Sequence, residues 1–352
     1  MAEKLMHAVQ YSGYGGGASG LKHVEVPIPN PNKDEILVKV EAASINPFDW
    51  KVQKGMMRPI LPPKFPFIPC FEKLVLALDW VMTNNSPQAK ISLGSDVAGE
   101  VVEVGSSVKN LKAGDKVVGI VDPRGGGLAQ FAACKESWTV IRPLEVSAAS
   151  AASLPVAGQT ALQALTKYAG MKLDGNGHPT NILVTAASGG VGHFAVQLAK
   201  LGNAHVTATC GARNLEFVKS LGADEIVDYK TPEGAALKSP SGRKFDAVIH
   251  CATGIPWSTF EPNLSSHGKV VDITPSFSGM ITFALQKLTF SKKQLVPLLL
   301  MPNRENLEFL VNLVKEGKLK TVIDSKHPLS KAEDAWAQSI DGHATGKIIV
   351  EN

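Results

Sequence analysis

Cysteine is scarce in this chain: Cys70, Cys134, Cys210 and Cys251 are scattered through 352 residues, and no two have C-x-x-C spacing. That pattern argues against a zinc knot or a thioredoxin-like motif, and a chain of this length needs no disulfide staples. All four read as thiols. Long apolar runs are missing too. The longest stretch, around Leu74–Met82, is interrupted by Asp79 and is too short to span a bilayer. Met1–Gly20 holds no apolar core and no cleavage signature, so neither a signal peptide nor an ordinary transit peptide is visible. A dominant charge is absent as well. The net charge of +4 is spread along the sequence, which argues against a nucleic-acid reader. His7, His23, His250, His267 and His343 show no ligand spacing and read as structural.

What is present points to an α/β protein, and to two domains, since 352 residues exceed the size at which a single core stops growing. The first third has β character. Glu35–Ala43, Asp96–Gly105 and Gly114–Val121 alternate as half-buried strands do, and Leu128–Cys134 is expected as another strand. From about Val156 the rhythm changes. Short, uniformly apolar runs at Asn181–Ala186, His205–Cys210, Glu225–Tyr229, Phe245–Ala252 and Lys269–Thr274 alternate with helical segments at His193–Leu201 and Asn214–Leu221. Such runs signal a parallel sheet covered on both faces. Asn306–Lys315 reads as an amphipathic helix and Gly346–Val350 as a closing strand.

The first apolar run of that second region leads into Ala186-Ala187-Ser188-Gly189-Gly190-Val191-Gly192 and then a helix. A glycine-rich turn lets backbone N–H groups approach a pyrophosphate, and the helix N-terminus adds partial positive charge. Alone the string is weak; after a buried strand and before an amphipathic helix it marks a dinucleotide site. An NAD site usually carries an acid at the end of the next strand. Here that strand ends Cys210-Gly211-Ala212-Arg213, and the first acid afterwards is Glu216. Arg213 can pair with a 2′-phosphate, so NADPH is the expected cofactor. A solvated surface arginine is the plainer alternative.

Further motifs carry a resemblance. They are Ser44-Ile45-Asn46-Pro47-Phe48-Asp49-Trp50-Lys51, Gly94-Ser95-Asp96-Val97-Ala98-Gly99-Glu100-Val101, Gly126-Gly127-Leu128-Ala129, and Leu154-Pro155 through Gly158-Gln159-Thr160-Ala161. With the glycine turn, they make the chain similar to the quinone oxidoreductase branch of the medium-chain dehydrogenase/reductase superfamily, most nearly its plant chloroplast-envelope members. The resemblance implies a GroES-like domain over residues 1–155, completed by 302–352, around a Rossmann domain over 156–301. Zinc alcohol dehydrogenases of this fold place a cysteine and a G-H-E histidine where this chain has Asn46–Lys51 and Gly94-Ser95-Asp96, so no metal is expected. The expected activity is NADPH-dependent reduction of quinones or enones, because hydride addition there puts charge on an oxygen that a hydrogen-bond donor can hold. An alkenal reductase with little quinone activity and a non-catalytic, crystallin-like NADPH binder are the alternatives.

Residue roles follow from the same resemblance. Lys51 is the candidate donor to that oxygen, or else a surface lysine holding its loop. Asn46 orients the nicotinamide ribose or the substrate oxygen, or else caps a turn. The cofactor set is Thr160, Ser188, Gly189, Gly190, Val191, Gly192, Cys210, Arg213, Tyr229, Cys251, Ala252 and Thr253. Tyr229 lies along the adenosine phosphate, or else fills core. The resemblance further implies the chloroplast, peripheral to the inner envelope; the cytosol, and a homodimer, stay open. Residues 70–93 interrupt the family pattern. They read as a cleft-lining helix, a membrane-touching patch or, as the favoured expectation, translated intron foreign to the fold.

Overall fold

The computed structural model describes residues 4–56, 71–72, 92–93, 96–121, 126–176 and 179–352. They divide into two compact units, residues 1–159 with 300–352, and residues 160–299.

The first unit begins with strands β1 (Leu5–Gln10), β2 (Lys22–Pro27) and β3 (Glu35–Ile45), followed by helix α1 (Pro47–Gln53). Two short strands, β4 (Phe71–Glu72) and β5 (Ser92–Leu93), pair antiparallel. The rest of the 70–93 segment lies outside the described residues. Then come β6 (Asp96–Val104), β7 (Lys116–Val121) and β8 (Phe131–Ile141). Helix α2 (Pro155–Gln163) spans the division between the units.

In the second unit, β9 (Asn181–Val184), α3 (Gly192–Leu201), β10 (His205–Cys210), α4 (Leu215–Ser220) and β11 (Glu225–Asp228) alternate. Strands β12 (Phe245–His250) and β13 (Leu264–Asp272), helix α5 (Phe277–Leu288) and strand β14 (Gln294–Pro297) complete it. The chain returns to the first unit through α6 (Arg304–Lys315), β15 (Ile323–Pro328), α7 (Ala332–Asp341) and β16 (Lys347–Glu351).

Six parallel strands in the order β11-β10-β9-β12-β13-β14 form the second unit's sheet. This is the doubly wound order 3-2-1-4-5-6, whose direction of progress reverses between β9 and β12, and ligands bind beyond the strand ends at that reversal. Val184, Val206, Ala208, Val248 and Ile249 are all fully or almost fully buried, as strands covered on both faces require.

The first unit's sheet runs β15-β16-β3-β6-β7-β8, and β8 also pairs with β3, closing a barrel. Its core gathers Ile36, Val38, Val97, Val101, Val117, Val121 and Cys134. A second cluster packs Trp336 of α7 on Val9, Ile45, Leu128 and Ile348. The Trp336 indole donates to Gln53 Oε1 at 3.0 Å, which ties the end of α1 to this cluster.

Strand β8 departs from expectation, starting at Phe131 and running on to Ile141. The polar string Lys135-Glu136-Ser137 conceals it, because these residues lie toward the outer surface while Val140 stays buried. Residues Leu128 and Ala129 instead reach β1, Ala129 through an isolated bridge to Ala8.

Register decides which side chains meet. Ser44 on β3 stands opposite Asp96 on β6, and Ile45 stands opposite Ile348 on β16. One residue beyond, Lys347 reaches Asn46. Gly346 makes the turn into β16 with φ +86°, and a Cβ there would lie 2.2 Å from Val322 O. Gly317 has φ +69° but open space around it. Gly346→Ala should therefore cost about 1–3 kcal/mol more than Gly317→Ala, because both strain the backbone and only one overpacks. Urea denaturation of the two variants measures the difference; equal losses would contradict the account.

Candidate active site

Each unit holds one part of the candidate machinery. In the second unit, β9 ends at the topological reversal and runs into the glycine turn. Ala186 takes φ +48°, a left-handed backbone that turns the chain sharply. The Ala187 N–H donates to Thr209 O on β10 at 2.8 Å, and the Gly189 N–H donates to Ala186 O at 2.9 Å. Gly192 opens α3 so close to this turn that a Cβ would lie 2.3 Å from Ala186 O. Only glycine fits there. The first N–H groups of α3 have no acceptor within the helix, and the helix dipole adds positive potential, so a pyrophosphate fits this cradle.

The neighbouring strand ends carry the other predicted cofactor residues. Cys210 closes β10, where burial first, and then Asp228, push its thiol up to about 11. It is a thiol packed in the core rather than a thiolate. Arg213 is exposed in the 3-10 turn just beyond. Tyr229 is 46% exposed, so it does not fill core. Its ring lies against Gly211, where a Cβ would sit 3.4 Å from Cε1. Thr160 is buried on α2.

Thr185, which the sequence reading passed over, ties β9 to β12. Its hydroxyl oxygen accepts the N–H groups of Cys251 at 2.9 Å and Ala252 at 3.2 Å. The hydroxyl then donates to His250 Nδ1 at 3.0 Å. Burial holds His250 down at about 4, so the imidazole is neutral and can accept there. Thr274 in turn donates to Ala252 O at 3.0 Å. Cys251 and Ala252 are thus fixed by hydrogen bonds rather than left as a loose loop, and Thr253 follows them directly.

The first unit contributes a buried polar cluster where β3 meets α1. Asn46 precedes α1, and its N–H donates to Asp49 Oδ2 at 2.8 Å. Ser44 Oγ donates to Asp96 Oδ2 at 2.6 Å, and Asn46 Nδ2 donates to the same oxygen at 3.3 Å. The Val156 N–H in the first turn of α2 donates to Asp96 Oδ1 at 2.8 Å. Lys347 Nζ donates to Asn46 Oδ1 at 2.6 Å and lies 3.6 Å from Asp96 Oδ2. Ser44, Asn46, Asp49, Asp96 and Lys347 are all buried. Lys51 is half-buried in the last turn of α1, its ammonium 5.8 Å from the centre of the Trp50 ring. Asn46 thus bonds both Asp49 and Asp96. Lys347 comes from 301 residues away and carried no local signal beyond a lysine opening an apolar closing strand.

Burial pushes Asp49 up to about 7 and raises Asp96 as well, the latter opposed by Lys347. Burial likewise lowers Lys347, against the pull of Asp96 and Asp49. The folded-state value of Asp49 lies above its unfolded one, so the folded protein binds this proton more tightly. The sign follows: the Asp49 contribution is most favourable below pH ~4 and is lost as pH climbs to ~7, by about 4 kcal/mol at most. Asp49→Asn keeps an oxygen acceptor for the Asn46 N–H and removes the titration. Its stability relative to the unaltered protein should rise steadily between pH 4 and 7 in chemical denaturation. A difference independent of pH would contradict the buried-carboxyl account.

Known proteins match this architecture along the whole chain. The zinc-binding dehydrogenase family matches residues 221–350, and the alcohol dehydrogenase GroES-like domain matches residues 75–144. A chloroplast envelope quinone oxidoreductase homolog of Arabidopsis thaliana is 69% identical over 352 residues, covering 100% of both chains. An NADPH-dependent alkenal/one oxidoreductase of the same plant, described as chloroplastic, is 32% identical over 365 aligned residues, covering 99% of this chain and 80% of its own. The solved quinone oxidoreductase from Coxiella burnetii superposes with a TM-score of 0.80 at 31% identity, covering 99% of this chain and 100% of its own.

The end-to-end match corrects one expectation. Residues 70–93 fall within an alignment that spans both chains completely, and residues 75–93 within the GroES-like match, so the segment is shared with relatives rather than foreign to the fold. A single sequence offered no measure of which segments its relatives share. With its closed β barrel, its 3-2-1-4-5-6 parallel sheet and these matches, the chain belongs to the medium-chain dehydrogenase/reductase superfamily, in the quinone oxidoreductase branch, and is an NAD(P)H-dependent oxidoreductase.

Proposed function

We propose that this enzyme is a zinc-independent, NADPH-dependent reductase of quinones and of the activated double bond in α,β-unsaturated ketones. The observation that carries the reading is the cluster at Asn46, Asp96 and Lys347. The resemblance puts zinc ligands in these segments. Zinc is held by thiolate, imidazole and carboxylate donors, and a lysine ammonium among them repels a dication. An amide and a carboxylate already bound to that ammonium do not fit zinc. Without a Lewis acid, alcohol chemistry is disfavoured, whereas an acceptor that gathers charge on a carbonyl oxygen needs only hydrogen-bond donors.

NADPH, when bound, supplies the hydride. The residues fitted to hold it are Ser188, Gly189, Gly190, Val191 and Gly192 at the pyrophosphate, with Thr160, Cys251, Ala252 and Thr253 toward the nicotinamide. Arg213 and Tyr229 belong to the 2′-phosphate end. The exposed guanidinium of Arg213, in a turn without an acid, favours NADPH over NADH. Lys51 and Asn46 hold the substrate oxygen as it becomes enolate-like, and water returns the proton. The alkenal/one oxidoreductase name of one relative supports the enone arm, and the envelope homolog's name supports the quinone arm. Both names support a chloroplast location. A peripheral contact with the inner envelope is part of this reading; among the described residues no helix is long and apolar enough to cross a membrane.

Two substitutions test this function. Arg213→Ala should weaken NADPH binding by about tenfold or more, the worth of one charged hydrogen bond, and leave NADH binding nearly unchanged. Equal affinity for the two cofactors in the unaltered protein would defeat the NADPH assignment. Lys51→Ala should lower kcat/KM for conjugated ketones by roughly 10², the scale for losing one oxyanion donor, with a smaller loss for quinones. An unchanged enone rate would remove Lys51 from the chemistry.

A further inference from the structure

We propose that Lys347 is a positioning residue that acts through Asn46, fixing and polarising its carboxamide so that one Nδ2–H serves as a charge-assisted donor to the substrate oxygen. The inference rests on the reductase reading above and adds the residue that makes Asn46 effective.

The chemistry of the partners settles the orientation of the amide. An ammonium has only donors, so the Asn46 atom 2.6 Å from Lys347 Nζ must be the oxygen. A carboxylate in an ion pair has only acceptors, so the Asn46 atom 3.3 Å from Asp96 Oδ2 must be the nitrogen. Both identifications agree, and the reverse orientation would break both contacts.

Lys347 is itself held. Besides Asn46 Oδ1, its ammonium reaches Ile45 O at 3.4 Å and lies 3.6 Å from Asp96 Oδ2. Asp96 is anchored in turn by Ser44 Oγ and by the Val156 N–H. The Lys347 side chain is 3% exposed, so its ammonium cannot turn to water instead.

Asn46 Nδ2 carries two hydrogens, and one goes to Asp96. Among the described residues no acceptor takes the other. A positive charge on Oδ1 draws electron density through the conjugated amide, making the remaining N–H a stronger donor, as in any chain of polarised hydrogen bonds. The charge of Lys347 thereby reaches the substrate oxygen through one amide, without the lysine touching substrate. The competing role is structural: the network could simply join β3, β6, β16 and α1.

A double-mutant cycle separates the two. Lys347→Met should lower kcat/KM for a conjugated ketone about tenfold, the loss of a weakened rather than deleted oxyanion donor, with NADPH affinity unchanged. In the Asn46→Ala background the same Lys347→Met change should alter kcat/KM less than about twofold, because its route is already gone. Equal fold losses in both backgrounds would overturn the proposal, as would an unchanged rate in the single variant. Where Lys347→Met fails to fold, the charge-neutral pair Lys347→Met/Asp96→Asn, compared with Asp96→Asn alone, replaces it in the cycle.

A readout without turnover distinguishes failure of this inference from failure of the reductase reading. In ¹⁵N-resolved NMR of the cofactor-free protein, the two Asn46 side-chain amide protons should be well separated and slow to exchange. In Lys347→Met, or in the neutral pair, they should collapse toward ordinary asparagine values and exchange faster. No turnover in the unaltered protein with this NMR change would sink only the reductase reading. Unchanged amide resonances would sink the positioning role.

Discussion

One ammonium enclosed by protein organises the start of α1. Lys347 has no water to turn to, so it must be satisfied by Asn46, Ile45 and Asp96 together. Removing one partner of such a buried pair is far more damaging than the net worth of the pair, because an uncompensated charge remains. The register of β3 against β6 and β16, the turn at Gly346 and the entry into α2 at Val156 all converge on this point. The capping of Asn46 by Asp49 then sets where α1 begins, and with it where Lys51 is carried.

In the function proposed above, the same cluster would let a dehydrogenase fold serve an acceptor without a metal. Two buried carboxyls and one ammonium leave the cluster close to neutral when Asp49 holds its proton, and burial favours that state. A neutral, preorganised amide donor suits an oxygen that gains charge only during reaction. The second unit holds the glycine turn proposed as the phosphate cradle. Its rigidity comes from Gly192 packing on Ala186 and from Thr185 bonding the end of β12 to the end of β9.

Local features were legible in the sequence. The glycine turn, its preceding strand and the following helix lie within about twenty consecutive residues, so their periodicity and composition announce them. The alternation of short apolar strands with helices revealed the doubly wound sheet in the same way. Contacts between distant residues were not legible. Lys347 meets Asn46 only because β16 pairs with β3, a fact of register that no window of sequence contains. Thr185 read as the end of an apolar run, although its hydroxyl joins two strands. Strand β8 was misplaced because the polar string Lys135-Glu136-Ser137 interrupts the apolar run that its continuation resumes at Val140. Residues 70–93 were misjudged because only relatives show that the segment is shared.

The most direct test of the central claim follows the hydride. The protein is first stripped of metal by prolonged chelation and then given a conjugated ketone with NADPH carrying deuterium at the transferring position of C4. The product should carry one deuterium, on the β-carbon, at a rate equal to that of untreated protein. Product without deuterium at the β-carbon, or activity that returns only when zinc is added back, would contradict the account.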